Sequence, residues 1–313
     1  MSFRQMLPFL FLNIVVSAVV VLSILFWWDN RNGEAVLAEE KLTELAVDPF
    51  EIAARHDIIV QEKPDTASGV SGMLLRHGNS FGILYASDIP NEGFRRFSVA
   101  HELGHYFLDG HVDHVLPNDG MHTSHAGFAS GDPYEQEADS FAVGLLMPAK
   151  PFKRLMGRSR LGLEDIESAR DTCKTSLTAT AIRYAELTDD AIAVILSTGR
   201  TIDYCILSEA MKSLPDLTWL KRGSSVPANT TTARFNADGS RILQAEREED
   251  EIDVLDWLGG RRSSIVTEEV VGLGRYGKTL TVLSSRKIGY DAYADEGDEE
   301  DDLVERWTPR FKK

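Results

Sequence analysis

Cysteine and excess positive charge are the two features that this sequence most clearly lacks. Its 313 residues include only two cysteines, Cys173 and Cys205, too few for a disulfide scaffold or a cysteine-rich zinc ribbon. Its 33 lysines and arginines are outnumbered by 49 aspartates and glutamates, which gives a formal net charge of -16. Because phosphate binding requires clustered basic residues, the composition argues against a nucleic-acid partner and favours a protein or peptide partner.

One long apolar segment is present near the beginning of the sequence. Residues 7–28 contain no charged side chain, and about 20 residues are enough for a helix to cross a bilayer. Because Trp27 and Trp28 at its end are typical of a membrane interface, the pattern predicts one transmembrane helix. A signal peptide cleaved near residues 36–38 is the alternative, but the apolar run is longer than a usual signal sequence. Nearly balanced positive charges on the two sides leave the orientation open.

The remainder alternates between helical and strand patterns, which predicts an α+β fold. Apolar runs at 73–75 and 81–86 predict a β-hairpin. Apolar residues that recur every three or four positions predict helices over 94–108 and 134–147. Beyond residue 161 the patterns predict helices at 162–172 and 176–187, and paired strands at 191–197 with 202–207 and at 265–271 with 278–283.

Two segments do not follow either period. Residues 109–133 are rich in Gly, Pro, Asp and His, and a loop of this length suggests a function beyond connection. Residues 295–302 are nearly all acidic, so this run is predicted to be disordered.

The strongest chemical pattern lies inside the first long helix. The segment HELGH at 101–105 matches the H-E-x-x-H arrangement, in which two histidines four residues apart share one helical face and can hold one zinc ion. The glutamate that follows the first histidine is the general base of such metalloproteases. The spacing therefore predicts a zinc site with His101 and His105 as ligands and Glu102 as catalytic base.

A catalytic zinc site uses three protein ligands and leaves one position for water, so a third ligand is required. His111 has the spacing of a longer H-E-x-x-H-x-x-G-x-x-H pattern, but that pattern requires glycine where this chain has Leu108. Glu135 and Asp139 stand four residues apart on one face of the second long helix. We expect Glu135 to be the ligand and Asp139 to orient a ligand histidine, while Glu137 and His111 remain alternatives.

Several motifs together resemble the ImmA/IrrE metallo-endopeptidases. The similarity extends over about residues 45–210 and is carried by RRFSVAHELGH at 95–105, EQEADSFA at 135–142 and LLMP at 145–148. The resemblance implies a compact gluzincin-like zinc domain. It also implies proteolysis of regulatory proteins, typically helix-turn-helix repressors, in the bacterial cytoplasm. A membrane anchor is unusual for this family.

Five regions are expected along the chain, in an α+β fold with a transmembrane helix and a small mixed β-sheet. We expect the chain to be anchored in the membrane by a single span, with its catalytic domain in the cytoplasm. The alternative is a soluble cytoplasmic protein. The regions are a transmembrane anchor at 1–33, a zinc peptidase domain at 34–160, a helix pair at 161–190, an α+β region at 191–285 and an acidic, disordered tail at 286–313.

The expected mechanism is zinc-assisted hydrolysis with Glu102 as proton carrier. The strand at 81–86 is expected to be an edge against which an extended substrate pairs through its main chain. Candidates for stabilising the oxyanion are Tyr134, His122 and His125, because their loop must border the site.

Two other functions compete with proteolysis. The first is a membrane-tethered zinc-binding regulator or sensor with weak or no activity, but a purely structural site has no use for Glu102. The second is DNA binding through the helix pair at 162–187, whose acidic residues outnumber its basic ones and would be repelled by phosphate. The role of the C-terminal third stays open between sensor, dimerisation surface and docking module.

Overall fold

The computed structural model describes residues 32–63, 70–87, 91–116, 120–125, 132–156, 161–286 and 288. These residues have a mixed α+β architecture, and they divide into two compact units. The first unit contains residues up to 154 together with 169–179, and the second contains 155–168 and residues from 180 onward.

The sheet of the first unit has the strand order β1-β3-β2-β4. Strand β1 is parallel to β3, and β2 is antiparallel to both of its neighbours. The predicted hairpin is confirmed, since β2 and β3 pair directly around a turn in which Gly78 has a φ of 58°. The strands are β1 (Ile59–Glu62), β2 (Val70–His77), β3 (Ser80–Tyr85) and β4 (Gly120–His125).

One expectation about this sheet is wrong. The strand at 81–86 was expected to be an open edge, but β3 lies between β1 and β2 and is paired on both sides. Among the described strands, β1 and β4 are the edges of this sheet. The segment 109–133, which was expected to be a loop, contains strand β4 and a short helix. Its many histidines and glycines leave no regular apolar period in the sequence.

Within the described ranges, the first unit contains the helices α1 (residues 32–39), α2 (Pro49–Arg55), α3 (Glu92–Phe107), α4 (His111–Val115), α5 (Pro133–Leu146) and, except for its last residue, α6 (Ala149–Leu155). Helix α3 begins where the side chain of Asn91 accepts a hydrogen bond from the Phe94 amide at 3.1 Å. Helix α5 begins where Asp132 accepts one from the Tyr134 amide at 3.0 Å. Such side-chain caps satisfy amides that the first helical turn leaves unpaired.

A small residue on each helix allows α3 and α5 to pack closely. A Cβ atom at Gly104 would lie 3.0 Å from the Cα of Ala138, so any side chain at this glycine would push the helices apart. Around this contact, both helices bury apolar residues completely: Val99, Ala100, Leu103, Ala138, Phe141, Ala142 and Leu145. This packing brings the HELGH segment and the first turn of α5 together.

The sheet of the second unit is antiparallel throughout, in the order β6-β5-β9-β8-β7. The predicted strand pairs are confirmed, but the prediction of a mixed sheet is wrong. The acidic strand β7 pairs with β8 at one edge, where charged residues are common. The strands are β5 (Ala191–Thr198), β6 (Thr201–Leu207), β7 (Arg247–Asp253), β8 (Ile265–Gly272) and β9 (Thr279–Ser285).

Helices of the second unit flank this antiparallel sheet. Trp257 is almost fully buried in an apolar core with strand residues such as Ile195 and Leu283. Two longer helices, α7 (Leu163–Cys173) and α8 (Leu177–Leu187), are each divided between the two units. The short helices are α9 (Glu209–Lys212), α10 (Thr231–Asn236), α11 (Gly239–Leu243) and α12 (Val254–Leu258).

The prediction of a transmembrane helix as part of the fold is not supported. Within the described ranges, no helix combines the length and the apolar character needed to cross a membrane. The longest of them, α3, has 16 residues and carries charged side chains, whereas about 20 mainly apolar residues are required. The predicted span at 7–28 lies outside the described residues, as does nearly all of the predicted tail at 286–313.

Candidate metal centre

Three side chains from α3 and α5 converge at the contact between these helices. His101 and His105 stand one turn apart on α3 and are buried, and Glu135 comes from the first turn of α5. The two histidine Nε2 atoms are 3.2 Å apart. Glu135 Oε2 lies 3.4 Å from His101 Nε2, and Glu135 Oε1 lies 3.3 Å from His105 Nε2. One ligand atom from each residue can therefore face a common point.

These spacings fit a tetrahedral metal site. Ligand atoms that lie about 2.0–2.1 Å from a tetrahedral zinc ion stand roughly 3.3–3.4 Å from one another. The two Nε2 atoms stand 3.2 Å apart, and each lies 3.3–3.4 Å from a different oxygen of Glu135, so all three distances are close to this value. Imidazole nitrogen and carboxylate oxygen are also the donors that catalytic zinc uses. The group can accordingly hold a divalent metal without rearrangement.

Asp139 contacts His101 at Nδ1, the ring nitrogen that points away from this group. Its Oδ1 lies 2.8 Å from His101 Nδ1. A hydrogen on Nδ1 can be donated to this carboxylate, which leaves the lone pair of Nε2 free for a metal. Carboxylates commonly orient ligand histidines in this way.

The electrostatics of the site favour a positive charge. Burial opposes protonation of His101, but its hydrogen bonds to Asp139 and Glu135 outweigh burial and raise its pKa to about 10. Burial would raise the pKa of Glu135, but its contacts with three histidines hold that pKa well below the usual range. Burial lowers the pKa of His105 to about 4, so this ring is neutral, as a metal ligand must be. A cation placed among these groups would be stabilised by the surrounding carboxylates.

Glu102 is fully buried beside the histidines. Neither of its carboxylate oxygens has a hydrogen-bond partner among the described residues, and burial raises its pKa. The Ser124 hydroxyl approaches and partly offsets this rise, but without hydrogen-bond geometry. A buried carboxylate without partners is costly for stability, and such groups are frequent at functional sites.

Gly72 of β2 makes room for this carboxylate. A Cβ atom at this position would lie 2.5 Å from Glu102 Oε1, so only glycine fits without displacing the glutamate. A glycine inside a strand often marks the close approach of another group, and this was the signal that could have identified it.

The alternative ligands and the loop side chains take other positions. His111 and Glu137 contact each other, with His111 Nε2 2.8 Å from Glu137 Oε2, and they lie outside the group of three. His122 of β4 reaches the centre, where its Nε2 lies 2.9 Å from Glu135 Oε1. Tyr134 stacks on His114 at 3.8 Å between ring centroids. The side chain of His125 lies outside the described part of the chain.

Comparison with known proteins shows which family part of this chain matches. Residues 53–183 match the family model of peptidase family M78, described as the IrrE N-terminal-like domain, and this confirms the resemblance to the ImmA/IrrE family. A solved structure of a Mycobacterium tuberculosis transcriptional regulator is similar in fold, with a TM-score of 0.52 and 16% identity over 84% of this chain and 79% of that chain. No curated protein sequence matches significantly.

Proposed function

We propose that this chain, whose residues 53–183 form an ImmA/IrrE family domain, is a zinc-dependent endopeptidase that hydrolyses peptide bonds of a protein substrate. The observation that carries the proposal is the juxtaposition of His101, His105 and Glu135, whose nitrogen and oxygen atoms approach to 3.2–3.4 Å. Beside them lies the buried carboxylate of Glu102, which has no hydrogen-bond partner among the described residues. Three ligands leave a fourth tetrahedral position for chemistry.

Each side chain then has one role. A zinc ion would supply Lewis-acid polarisation of the scissile carbonyl and activation of water. Glu102 accepts the proton of the attacking water on its carboxylate and delivers it to the leaving amine nitrogen. Burial raises its pKa, which strengthens the carboxylate as a proton acceptor. Asp139 keeps His101 oriented for metal binding through its contact with Nδ1.

Strand β4 is the best candidate for binding the substrate main chain. It is an edge strand with β2 as its neighbour, and its residue His122 contacts Glu135, so this edge borders the metal centre. An extended peptide can add to such an edge through main-chain hydrogen bonds. This mode of binding tolerates many side chains.

His122 is our candidate for stabilising the oxyanion of the tetrahedral intermediate. Its Nε2–H is donated to Glu135 at 2.9 Å, and we propose that this N–H turns to the reacting carbonyl oxygen when Glu135 binds the metal. His122→Ala should retain metal and reduce cleavage about 10²-fold. If His122→Ala instead loses the metal, His122 is a fourth ligand and the proposed hydrolysis fails.

The substrate class follows from the resemblance to the ImmA/IrrE family, which favours a regulatory protein such as a helix-turn-helix repressor. The experiment is a catalytic trap: Glu102→Gln is expressed in cells, crosslinked and purified, and the captured protein is then tested for cleavage by the wild-type chain. Cleavage of that protein by wild type but not by Glu102→Gln is expected. Equal behaviour of the two forms would instead favour a zinc-binding regulator without proteolysis.

A further inference from the structure

Buried His111 and partly exposed Glu137 form a pair beside the candidate metal ligands. His111 is 1% exposed, and its Nδ1 lies 3.2 Å from Nδ1 of His105. On the other side of the ring, His111 Nε2 lies 2.8 Å from Glu137 Oε2. A continuous series of polar contacts therefore runs from the ligand histidine through a second histidine to a carboxylate.

One arrangement of hydrogens satisfies every contact in this series. His105 can bind a cation only through a nitrogen without hydrogen, and its Nε2 is the nitrogen that faces His101 and Glu135. Its hydrogen is then on Nδ1 and is donated to Nδ1 of His111. His111 consequently carries its own hydrogen on Nε2 and donates it to Glu137. Both rings are neutral in this arrangement, and the series ends on an acceptor.

The local backbone explains why His111 lies behind His105 and not in the group of three. Helix α3 ends at Phe107, the following residue Leu108 has an extended backbone, and the chain reverses at Gly110, which has a φ of 81°. Helix α4 then starts at His111 and returns its ring to His105. The ring of Tyr134 packs edge-on against His111 at 4.9 Å, which restricts its rotation.

We propose that His111 and Glu137 are positioning residues that fix the tautomer and orientation of His105, as Asp139 does for His101. The inference rests on the proposed function only in taking His105 as a metal ligand. Each of the two histidines on α3 would thus be held through its Nδ1, one directly by a carboxylate and the other through an intervening imidazole. Removing such an orienting partner typically lowers metal affinity by about 10–100-fold.

The test measures zinc affinity of the intact chain by competition with a chromogenic chelator, together with the visible absorption of the cobalt-loaded form. His111→Phe keeps a ring but removes the acceptor, whereas His111→Asn keeps an acceptor close to the position of Nδ1. Glu137→Gln weakens the end of the series without altering the core. Asp113→Asn is the matched control, because it removes an exposed carboxylate from the same short helix.

We expect His111→Phe to bind one zinc with an affinity about 10–100-fold lower and with an altered cobalt spectrum. Glu137→Gln should shift in the same direction by less, His111→Asn should recover most of the affinity, and Asp113→Asn should match wild type. Wild-type affinity in His111→Phe would overturn the inference, as would equal losses in the Phe and Asn variants. If wild type cleaves protein while His111→Phe keeps full zinc affinity, this inference alone fails; if wild type binds no zinc, the proposed function fails with it.

Discussion

Each unit of the molecule contains a fully buried glutamate, and the two differ in their hydrogen bonding. In the C-terminal unit, Glu268 accepts hydrogen bonds from the Thr231 amide at 3.0 Å, the Thr232 amide at 2.9 Å and the Thr232 hydroxyl at 2.7 Å. In the first unit, which contains the candidate metal ligands, Glu102 has no hydrogen-bond partner in the described part of the chain. Both side chains are 0% exposed.

This difference separates a structural carboxylate from a reactive one. Glu268 caps the first amides of α10, so its burial is compensated by hydrogen bonds and by the helix terminus. Glu102 lacks that compensation, and its position lowers the stability of the fold. We infer that it is retained because a carboxylate without partners is free to take and release a proton.

Replacing Glu102 with Gln should abolish most activity without harming the fold. Cleavage should fall by about 10²–10⁴-fold, because the proton carrier is lost. Zinc content and the free energy of unfolding should be no lower than in wild type. The substitution replaces a buried carboxylate that lacks hydrogen-bond partners among the described residues. Parallel assays of cleavage, metal content and urea unfolding provide the check, with Glu92→Gln at the exposed start of α3 as control. A large loss of stability would place Glu102 in the same class as Glu268.

Replacing Glu268 with Ala should have the converse effect. The amides of Thr231 and Thr232 would lose their acceptor inside the protein, which should lower the free energy of unfolding by about 2–4 kcal/mol. Urea unfolding followed by Trp fluorescence measures this change, since Trp257 is buried in the same unit. The exposed Glu251 of β7 offers a control as Glu251→Ala. A stability equal to wild type would contradict the structural role.

The raised pKa of Glu269, the neighbour of Glu268, should make the stability of the fold depend on pH. Burial, assisted by nearby acidic side chains, raises the pKa of Glu269 to about 7, although the Leu163 amide donates to it. The folded state then binds a proton that the unfolded state, with a pKa near 4.5, releases between these values. The stabilisation is complete below about pH 4.5 and is lost as pH rises through 7.

Between pH 5 and pH 8 this single group should reduce the free energy of unfolding by about 2 kcal/mol. Glu269→Gln should remove that part of the pH dependence and leave the acceptor for Leu163 in place. Urea titrations of both forms at pH 5, 6, 7 and 8 make the comparison. Parallel pH profiles for the two forms would show that Glu269 is ionised in the folded state.

The smallest effect is expected at Gly72. An alanine there would overlap Glu102 Oε1 and displace the carboxylate, so cleavage should fall about 10-fold or more while zinc affinity is unchanged. The control is Gly82→Ala in the neighbouring strand β3, where a Cβ atom would lie an acceptable 3.4 Å from the nearest atom. Equal activity in the two variants would mean that the position of Glu102 does not depend on Gly72.

The sequence predicted those parts of the molecule whose signals are local. Helices α3 and α5 were found from their apolar period, and the hairpin of β2 and β3 from its two apolar runs and its turn. Strand pairing is not local, and for this reason β3 was mistaken for an edge. Strands β4 and β7 were missed because histidine and acidic residues replace the alternating apolar residues of a usual strand.

The same distinction applies to the candidate site. The spacing of His101 and His105 and of Glu135 and Asp139 follows from helical geometry, and the structure brings these four side chains together. Whether His111 faced the metal or another side chain depended on the turn at Gly110, which no helical period predicts. The space left by Gly72 depended on the packing of β2 against α3, so its importance emerges only in three dimensions.

X-ray absorption at the zinc edge of the zinc-loaded chain tests the central claim most directly. The account predicts a four-coordinate zinc with two imidazole nitrogens, contributed by His101 and His105, and oxygen donors in the remaining positions. The spectrum should lose one imidazole in His105→Ala. A third imidazole at the metal would instead mean that a further histidine such as His122 fills the position needed for hydrolysis, and would contradict the account.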